Sequence, residues 1–117
     1  MTVQELYAEL GGNYDDIMRR LRSERIARKF LLRFLEDKTF ETLQQAVDNG
    51  QQMEAFRAAH TLKGLSLNMG FPQLSDSSQR LTEAVRTELT SEAAPLLQEV
   101  ASDYAETVAA IQALDAE

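Results

Sequence analysis

Apolar side chains recur every three or four residues through most of the chain, with polar side chains between them. This spacing is typical of amphipathic α-helices, whereas the alternation of apolar and polar residues that marks β-strands is nearly absent. Most of the glycines and prolines fall at the ends of the periodic stretches, where they stop or start helices. The pattern therefore predicts an all-α protein.

Seven helices are predicted from the apolar stripes and from the residues at their ends. Asn13, Ser23 and Thr39 have side chains suited to begin a helix, and Gly70 is suited to end one. The predicted helices cover approximately residues 3–10, 13–22, 23–37, 39–49, 52–69, 72–89 and 91–113.

The connections between the long predicted helices are short. Connections of two to four residues are typical of antiparallel neighbours. We therefore expect one domain, an antiparallel up-and-down four-helix bundle over residues 23–117, with the short helices of residues 1–22 packed on it. A chain of 117 residues buries enough apolar surface to fold in this way without metal or disulfide support.

The predicted helix 52–69 carries apolar residues on two opposite sides. One side is a stripe expected to pack inside the bundle: Ala55, Ala58, Leu62, Leu65 and Met69. The other side holds Met53, Phe56, His60, Gly64 and Leu67. A side that only faced water would be polar, so Met53, Phe56 and Leu67 are candidates for docking a partner. For Phe56, burial beneath the predicted helix 23–37 is an alternative that the sequence leaves open.

His60 is the only histidine of the chain and lies on this second apolar side. Arg57 and Lys63 stand three residues before and after it, so both cations lie next to it on the helix surface. A neutral imidazole can accept a phosphoryl group on a ring nitrogen, and nearby cations stabilise the phosphoryl charge. These neighbours favour a phosphate acceptor over a histidine without chemistry.

Gly64 lies one turn beyond His60 on the same side of the helix. A glycine inside a helix costs about 1 kcal/mol relative to alanine, so its presence needs a reason. The missing side chain either clears space beside the imidazole for a second molecule or allows close packing of a neighbouring helix. The position alone does not separate these alternatives.

Composition excludes several classes of site. With one histidine and no cysteine, the chain lacks the ligands for thiolate sites, two-histidine zinc sites and di-iron bundles, and we expect no metal site. No apolar run approaches the roughly 20 residues of a membrane span, and Met1–Glu5 does not resemble a signal peptide. We therefore expect a cytoplasmic protein without a membrane partner. The initial methionine and the lack of a trailing linker favour a free-standing protein over a fragment of a kinase.

The charge of the chain is unevenly distributed. The net charge of -7 argues against a nucleic-acid partner, yet eight of the 12 basic residues fall between Arg19 and Lys38. This basic cluster is explained either as a solvated face paired with acidic neighbours or as a local positive surface for an acidic partner.

The segment Ala59-His60-Thr61-Leu62-Lys63-Gly64, followed by Asn68-Met69-Gly70, resembles the signature of histidine-containing phosphotransfer (HPt) domains. In that family Lys and Gly follow the histidine at the third and fourth positions, and a Gly follows at the tenth. The resemblance extends over roughly residues 23–115.

The resemblance implies a role for each residue of the motif. His60 would accept a phosphoryl group on Nε2 from a receiver-domain aspartate and pass it to another receiver. Lys63 would help to hold the phosphoryl oxygens, and Gly64 would admit the receiver; a phosphoryl-stabilising role for Arg57 rests on its position beside His60 and not on the resemblance. The family often has a glutamine one helix later that orients the imidazole; here Thr82 stands at that position, and Gln79 lies one turn earlier.

The resemblance also implies the partners and the limits of the chemistry. The partners would be response-regulator receiver domains, a hybrid histidine kinase, or both, and the receiver would supply the Mg²⁺. We expect no cofactor on this chain and no kinase activity of its own, since it lacks a glycine-rich nucleotide loop. We also expect a monomer. The alternative is a helical adaptor that is not phosphorylated and binds a signalling partner through the His60 side.

Overall fold

The computed structural model describes residues 1–115, which contain seven helices and no strand. The helices are α1 (Val3–Glu9), α2 (Tyr14–Leu21), α3 (Glu24–Phe34), α4 (Thr39–Asp48), α5 (Gln52–Met69), α6 (Pro72–Ala84) and α7 (Ala93–Asp115). The predicted all-α class is therefore confirmed, and the predicted bounds of α5 agree with the structure.

Three helices begin at caps supplied by the residue just before them. The Thr2 hydroxyl accepts a hydrogen bond from the Glu5 amide, and the Glu5 carboxylate accepts one from the Thr2 amide, which forms a capping box ahead of α1. The side chains of Asn13 and Ser23 each accept from the amide three residues later. The predicted starts of α2 and α3 are thus confirmed.

The predicted bounds between α3 and α4 are wrong. α3 ends at Phe34 rather than near 37, because the amides of residues 35–37 donate to carbonyls three residues earlier and tighten the chain into a turn. Thr39 is the first helical residue of α4 and not its cap. The Asp37 carboxylate instead accepts the Thr39 amide at 2.8 Å.

The predicted bounds around the loop between α6 and α7 are also wrong. α6 ends at Ala84, well before the predicted end, and α7 begins at Ala93, later than predicted. The side-chain amide of Gln52, at the start of α5, donates to the carbonyls of Val85 at 2.7 Å and Arg86 at 2.9 Å. These carbonyls are therefore satisfied from outside the helix, which favours the end of α6 at this point.

Helices α4, α5, α6 and α7 contact one another in a ring, with α5 lying between α4 and α6. Loops of residues 49–51 and 70–71 join α4 to α5 and α5 to α6, a length typical of antiparallel neighbours. The helical bundle is confirmed. The up-and-down direction of all four helices stays a prediction.

The short N-terminal helices hold the C-terminal end of α5. Tyr7 of α1 is fully buried, its hydroxyl donates to the Met69 carbonyl at 2.7 Å, and its ring stacks on Phe71 at 6.2 Å. Gly70 has a left-handed φ of +76°, and a Cβ there would lie 2.8 Å from Cδ1 of Ile17 on α2. Both the backbone and the approach of α2 therefore require glycine at this turn.

Helix α3 packs mainly on α1, α2 and α7. The predicted division of the chain into residues 1–22 and a bundle of residues 23–117 stays a prediction. The last two residues of that bundle, 116–117, lie outside the described residues.

One side of α5 is buried inside the bundle, and we call it the buried stripe. It consists of Ala55, Ala58, Ala59, Leu62 and Ser66. The predicted Ala55, Ala58 and Leu62 are confirmed as buried, whereas Leu65 and Met69 are only partly buried against the core. Because four of the five residues of the stripe are small, α4 and α6 can approach α5 closely.

Replacing Leu62 by alanine should lower the free energy of unfolding by about 2–5 kcal/mol, because the side chain is 1% exposed and its removal leaves a cavity. Leu67→Ala on the same helix is the matched control, since Leu67 is 61% exposed, and it should change stability by less than about 0.5 kcal/mol. Urea denaturation followed by circular dichroism measures both values. A larger loss for Leu67→Ala would mean that the two sides of α5 are reversed.

Tyr7→Phe should lower stability at neutral pH by about 0.5–1.5 kcal/mol, because it removes the hydrogen bond to Met69. Burial raises the pKa of the Tyr7 phenol well above its usual range, against a smaller lowering by Arg20. The unfolded chain therefore loses this proton first as pH rises, and the native state loses stability above about pH 10. The difference in stability between wild type and Tyr7→Phe should shrink in that range; a constant difference from pH 8 to 11 would contradict this account.

Candidate functional site

His60 lies exposed on the side of α5 opposite the buried stripe. We call this side the His60 face; it consists of Met53, Phe56, His60, Gly64 and Leu67. Met53 is 54% exposed and Leu67 is 61% exposed, while Phe56 and Gly64 are partly buried. The structure therefore brings all five predicted residues of this face to the same side of one helix.

The His60 ring stacks on Phe56, with ring centroids 6.0 Å apart and an angle of 16° between the planes. Arg86 lies in the loop after α6, and its guanidinium is 5.1 Å from the centre of the Phe56 ring. Phe56 is thus covered from the α6 side. The alternative that it is buried beneath the predicted helix 23–37 is wrong, because α3 packs elsewhere on the bundle.

Arg86 is held in place by Glu83 of α6. Its Nη2 lies 2.8 Å from Glu83 Oε1, and the Gln79 side-chain amide donates to the same carboxylate at 3.2 Å. The hydrogen bond from Arg86 holds the pKa of the Glu83 carboxyl below its usual range, and the charge of Lys63 adds to this effect. An ordered set of charged side chains therefore lies beside the phenyl ring that supports His60.

Arg86 and Glu83 were not among the residues predicted for the site. Their spacing of three residues, with opposite charges, is a recognisable helical pair. Nothing in the local sequence shows, however, that Arg86 lies over Phe56, because that contact joins α5 to the loop that follows α6.

The two cations predicted beside His60 lie on different sides of the His60 face. Lys63 lines a cavity of about 610 Å³ between α2 and the α5–α6 turn, which Arg20, Leu67 and Gln79 also line. Arg57 lines a second cavity, of about 500 Å³, between α4 and α5. Within residues 1–115 neither Lys63 nor Arg57 makes a salt bridge or a hydrogen bond, so both charges are available to an anion.

The surface above Gly64 is open. A Cβ built on this residue meets no other heavy atom within 4 Å among the described residues, apart from its own helix. Close packing of a neighbouring helix is therefore not the reason for glycine here. Of the two explanations that the sequence left open, only clearance for a second molecule agrees with the structure.

The predicted orienting bond to the imidazole is not formed. The Thr82 side chain is buried, and its hydroxyl donates to the Ser78 carbonyl at 2.7 Å inside α6. The Gln79 amide donates to Glu83, and its own oxygen is buried without a partner. Within residues 1–115 the His60 ring makes no hydrogen bond, and its contact is the stack on Phe56.

Within the part of the chain that the structure describes, no group of three or more His, Cys, Asp or Glu side chains is placed to hold a metal ion. Among the same residues, no helix combines the length and the apolar character needed to cross a bilayer.

A family model described as the Hpt domain matches residues 30–117, which include α4 to α7 and the whole His60 face. The chain belongs to the Hpt domain family. A search of curated proteins and a search of solved structures returned no match. Hpt domains are histidine phosphotransfer carriers of two-component phosphorelays; they are not kinases, and they interact with receiver domains and histidine kinases. This general role therefore applies to the chain.

The match to the Hpt domain leaves out α1, α2 and the first part of α3. Helix α2 nevertheless contributes to the surroundings of the His60 face, since Asp16, Ile17 and Arg20 line the cavity beside Lys63. The surroundings of α5 are therefore not built by the matched residues alone.

Gly64→Ala should raise the free energy of unfolding of this Hpt domain by up to about 1 kcal/mol, because alanine favours the helix and its methyl group meets open space. Gly70→Ala is the control. It should destabilise the fold, because Gly70 has φ +76° and its added Cβ would collide with Ile17. Thermal and urea unfolding measure both changes, and a loss of stability in Gly64→Ala would show that the space above Gly64 is occupied.

Proposed function

We propose that His60 is the phosphoacceptor of this Hpt domain and passes phosphoryl groups between receiver domains. One observation carries the proposal. The single histidine of the chain is exposed on α5, inside the matched region, next to a glycine with open space above it. A receiver must bring its aspartyl phosphate to the imidazole, so an exposed ring with clearance on one side is what the transfer requires.

The chemistry is a displacement at phosphorus. A neutral His60 with its proton on Nδ1 attacks through Nε2, and the N–P bond forms as the P–O bond to the receiver aspartate breaks. The electron pair of that bond leaves on the aspartate carboxylate. Transfer to the next receiver reverses these steps. Phosphoryl transfer depends mainly on in-line positioning and on neutralising the charge of the phosphoryl oxygens.

Lys63 and Arg57 are proposed to supply positive charge from the Hpt domain. Both lie one turn from His60, and neither is engaged in a salt bridge within residues 1–115. A cation without a partner can turn to the phosphoryl oxygens without breaking an existing bond. The receiver supplies the acidic pocket and its Mg²⁺, and no cofactor is assigned to this chain.

The rest of the His60 face is proposed to bind the receiver. Met53 and Leu67 expose large apolar side chains at the two ends of the face, with Phe56 and His60 between them. Apolar side chains at the centre of an interface are typical of specific docking. Phe56, covered by Arg86, is proposed to hold the imidazole ring in place of the orienting hydrogen bond.

His60→Gln should abolish phosphoryl acceptance while leaving the helical circular dichroism signal unchanged, because the side chain is exposed and carries the reactive nitrogen. The measurement is transfer from receiver domains phosphorylated by acetyl phosphate, with Mg²⁺ present, to the wild type and the variant. Label that is acid-labile and base-stable, on the wild type alone, is the expected result.

Equal labelling of wild type and His60→Gln would place the acceptor elsewhere in the chain. A receiver that binds wild type and variant equally, with no label on either, would instead favour the adaptor function, in which the His60 face binds a partner without phosphoryl transfer.

A further inference from the structure

A second exposed apolar patch lies on α3, away from the His60 face. We call it the basic face of α3; it consists of Arg25, Ile26, Lys29, Phe30 and Arg33. At 100° per residue these five side chains occupy one continuous side of the helix, opposite the buried Ala27, Leu31 and Phe34. Ile26 is 42% exposed and Phe30 is 38% exposed.

Within residues 1–115, four large apolar side chains are exposed, two on each of two surfaces. Met53 and Leu67 belong to the His60 face, whereas Ile26 and Phe30 belong to the basic face of α3. The Arg33 guanidinium lies 5.9 Å from the Phe30 ring, so a cation borders the apolar centre. An apolar centre with a charged rim is the usual composition of a protein-binding surface.

Within residues 1–115 the cations of this face form no salt bridge, unlike others of the basic cluster. Arg19 and Arg20 form salt bridges with Asp16, and Lys38 forms one with Glu41. The explanation of the cluster as a face paired with acidic neighbours therefore holds for these residues.

Arg25, Lys29 and Arg33 differ from them, since none makes a salt bridge within residues 1–115. Their charges outnumber that of Glu36, the acidic side chain that lines the same surface cavity, so the potential at this face is positive. For this face, the lack of salt bridges favours the explanation of the cluster as a positive surface for an acidic partner.

The overall charge distribution restricts the kind of acidic partner. Residues 19–38 carry a formal charge of +5, whereas the rest of the chain carries -12. An anionic membrane or a nucleic-acid duplex is an extended polyanion and would also repel the acidic remainder. A compact acidic patch on a protein can contact the basic face of α3 without lying close to the acidic remainder of the chain.

The basic face of α3 and the His60 face are on different helices. α3 packs mainly on α1, α2 and α7, whereas α5 lies between α4 and α6. Most of α3 also precedes the residues matched by the Hpt domain. A partner on α3 therefore uses residues that the phosphotransfer site does not.

We propose that the basic face of α3 is a second docking surface, which binds a protein segment with acidic residues around an apolar side. Arg25, Lys29 and Arg33 pair with carboxylates of that segment, and Ile26 and Phe30 pack against its apolar residues. The proposal does not depend on the assignment of His60 as phosphoacceptor.

The probe for this surface is a synthetic amphipathic helix with leucines on one side and glutamates beside them, titrated into the ¹⁵N-labelled protein. We expect saturable shifts of the amide signals of α3. The double variant Arg25→Glu/Lys29→Glu should bind at least about tenfold more weakly, because two attractive charges become repulsive. Phe30→Gln changes no charge, and it should also weaken binding severalfold because it removes an apolar contact.

Arg19→Glu/Lys38→Glu is the matched control, because it changes the net charge equally at exposed cations outside the basic face. Its affinity should stay within about twofold of wild type at constant ionic strength. The Arg25→Glu/Lys29→Glu variant should accept phosphoryl groups at His60 at the wild-type rate, which separates this surface from the phosphotransfer site.

Three results would overturn the proposal. Equal weakening of both double variants would show a general electrostatic effect. Peptide-induced shifts on α5 instead of α3 would assign the binding to the His60 face. Tighter binding to vesicles containing phosphatidylserine, or to a DNA duplex, than to the acidic peptide would identify the partner as an extended polyanion.

Discussion

The packing of the buried stripe of α5 between α4 and α6 is the constraint on which the rest of the molecule depends. Four of its five residues are alanine or serine, so the neighbouring helices approach closely. Close packing on this side fixes the rotation of α5 about its own axis. That rotation turns His60 outward and places Phe56 under Arg86. The direction in which the His60 ring projects is thus set by residues that lie on the opposite side of its own helix.

Features that depend on neighbouring residues could be predicted from the sequence. The caps at Asn13 and Ser23 and the bounds of α5 follow from side chains within a few positions. The placement of His60 opposite the core follows from the helical period. The end of α6 could not be predicted in this way, because the bond that satisfies its carbonyls comes from Gln52, on a different helix.

The same distinction explains what was missed in the site. The spacing of His60, Lys63 and Gly64 was visible in the sequence, but the reason for glycine was not, since only the fold shows that no neighbour fills the space above it. Thr82 aligned with an orienting position, yet its hydroxyl is engaged within α6. The contact of Phe56 with Arg86 joins residues of separate elements, and no local pattern reveals it.

The hydrogen bonds from Gln52 affect the His60 ring through two intermediate side chains. Gln52 fixes the carbonyl of Arg86, Arg86 covers Phe56, and the Phe56 ring lies against the imidazole. A ring stacked in this way has less rotational freedom to lose on docking, which would favour the proposed transfer to His60. The orientation of the imidazole thus depends on aromatic stacking, which the side-chain amide of Gln52 at the start of α5 supports through Arg86.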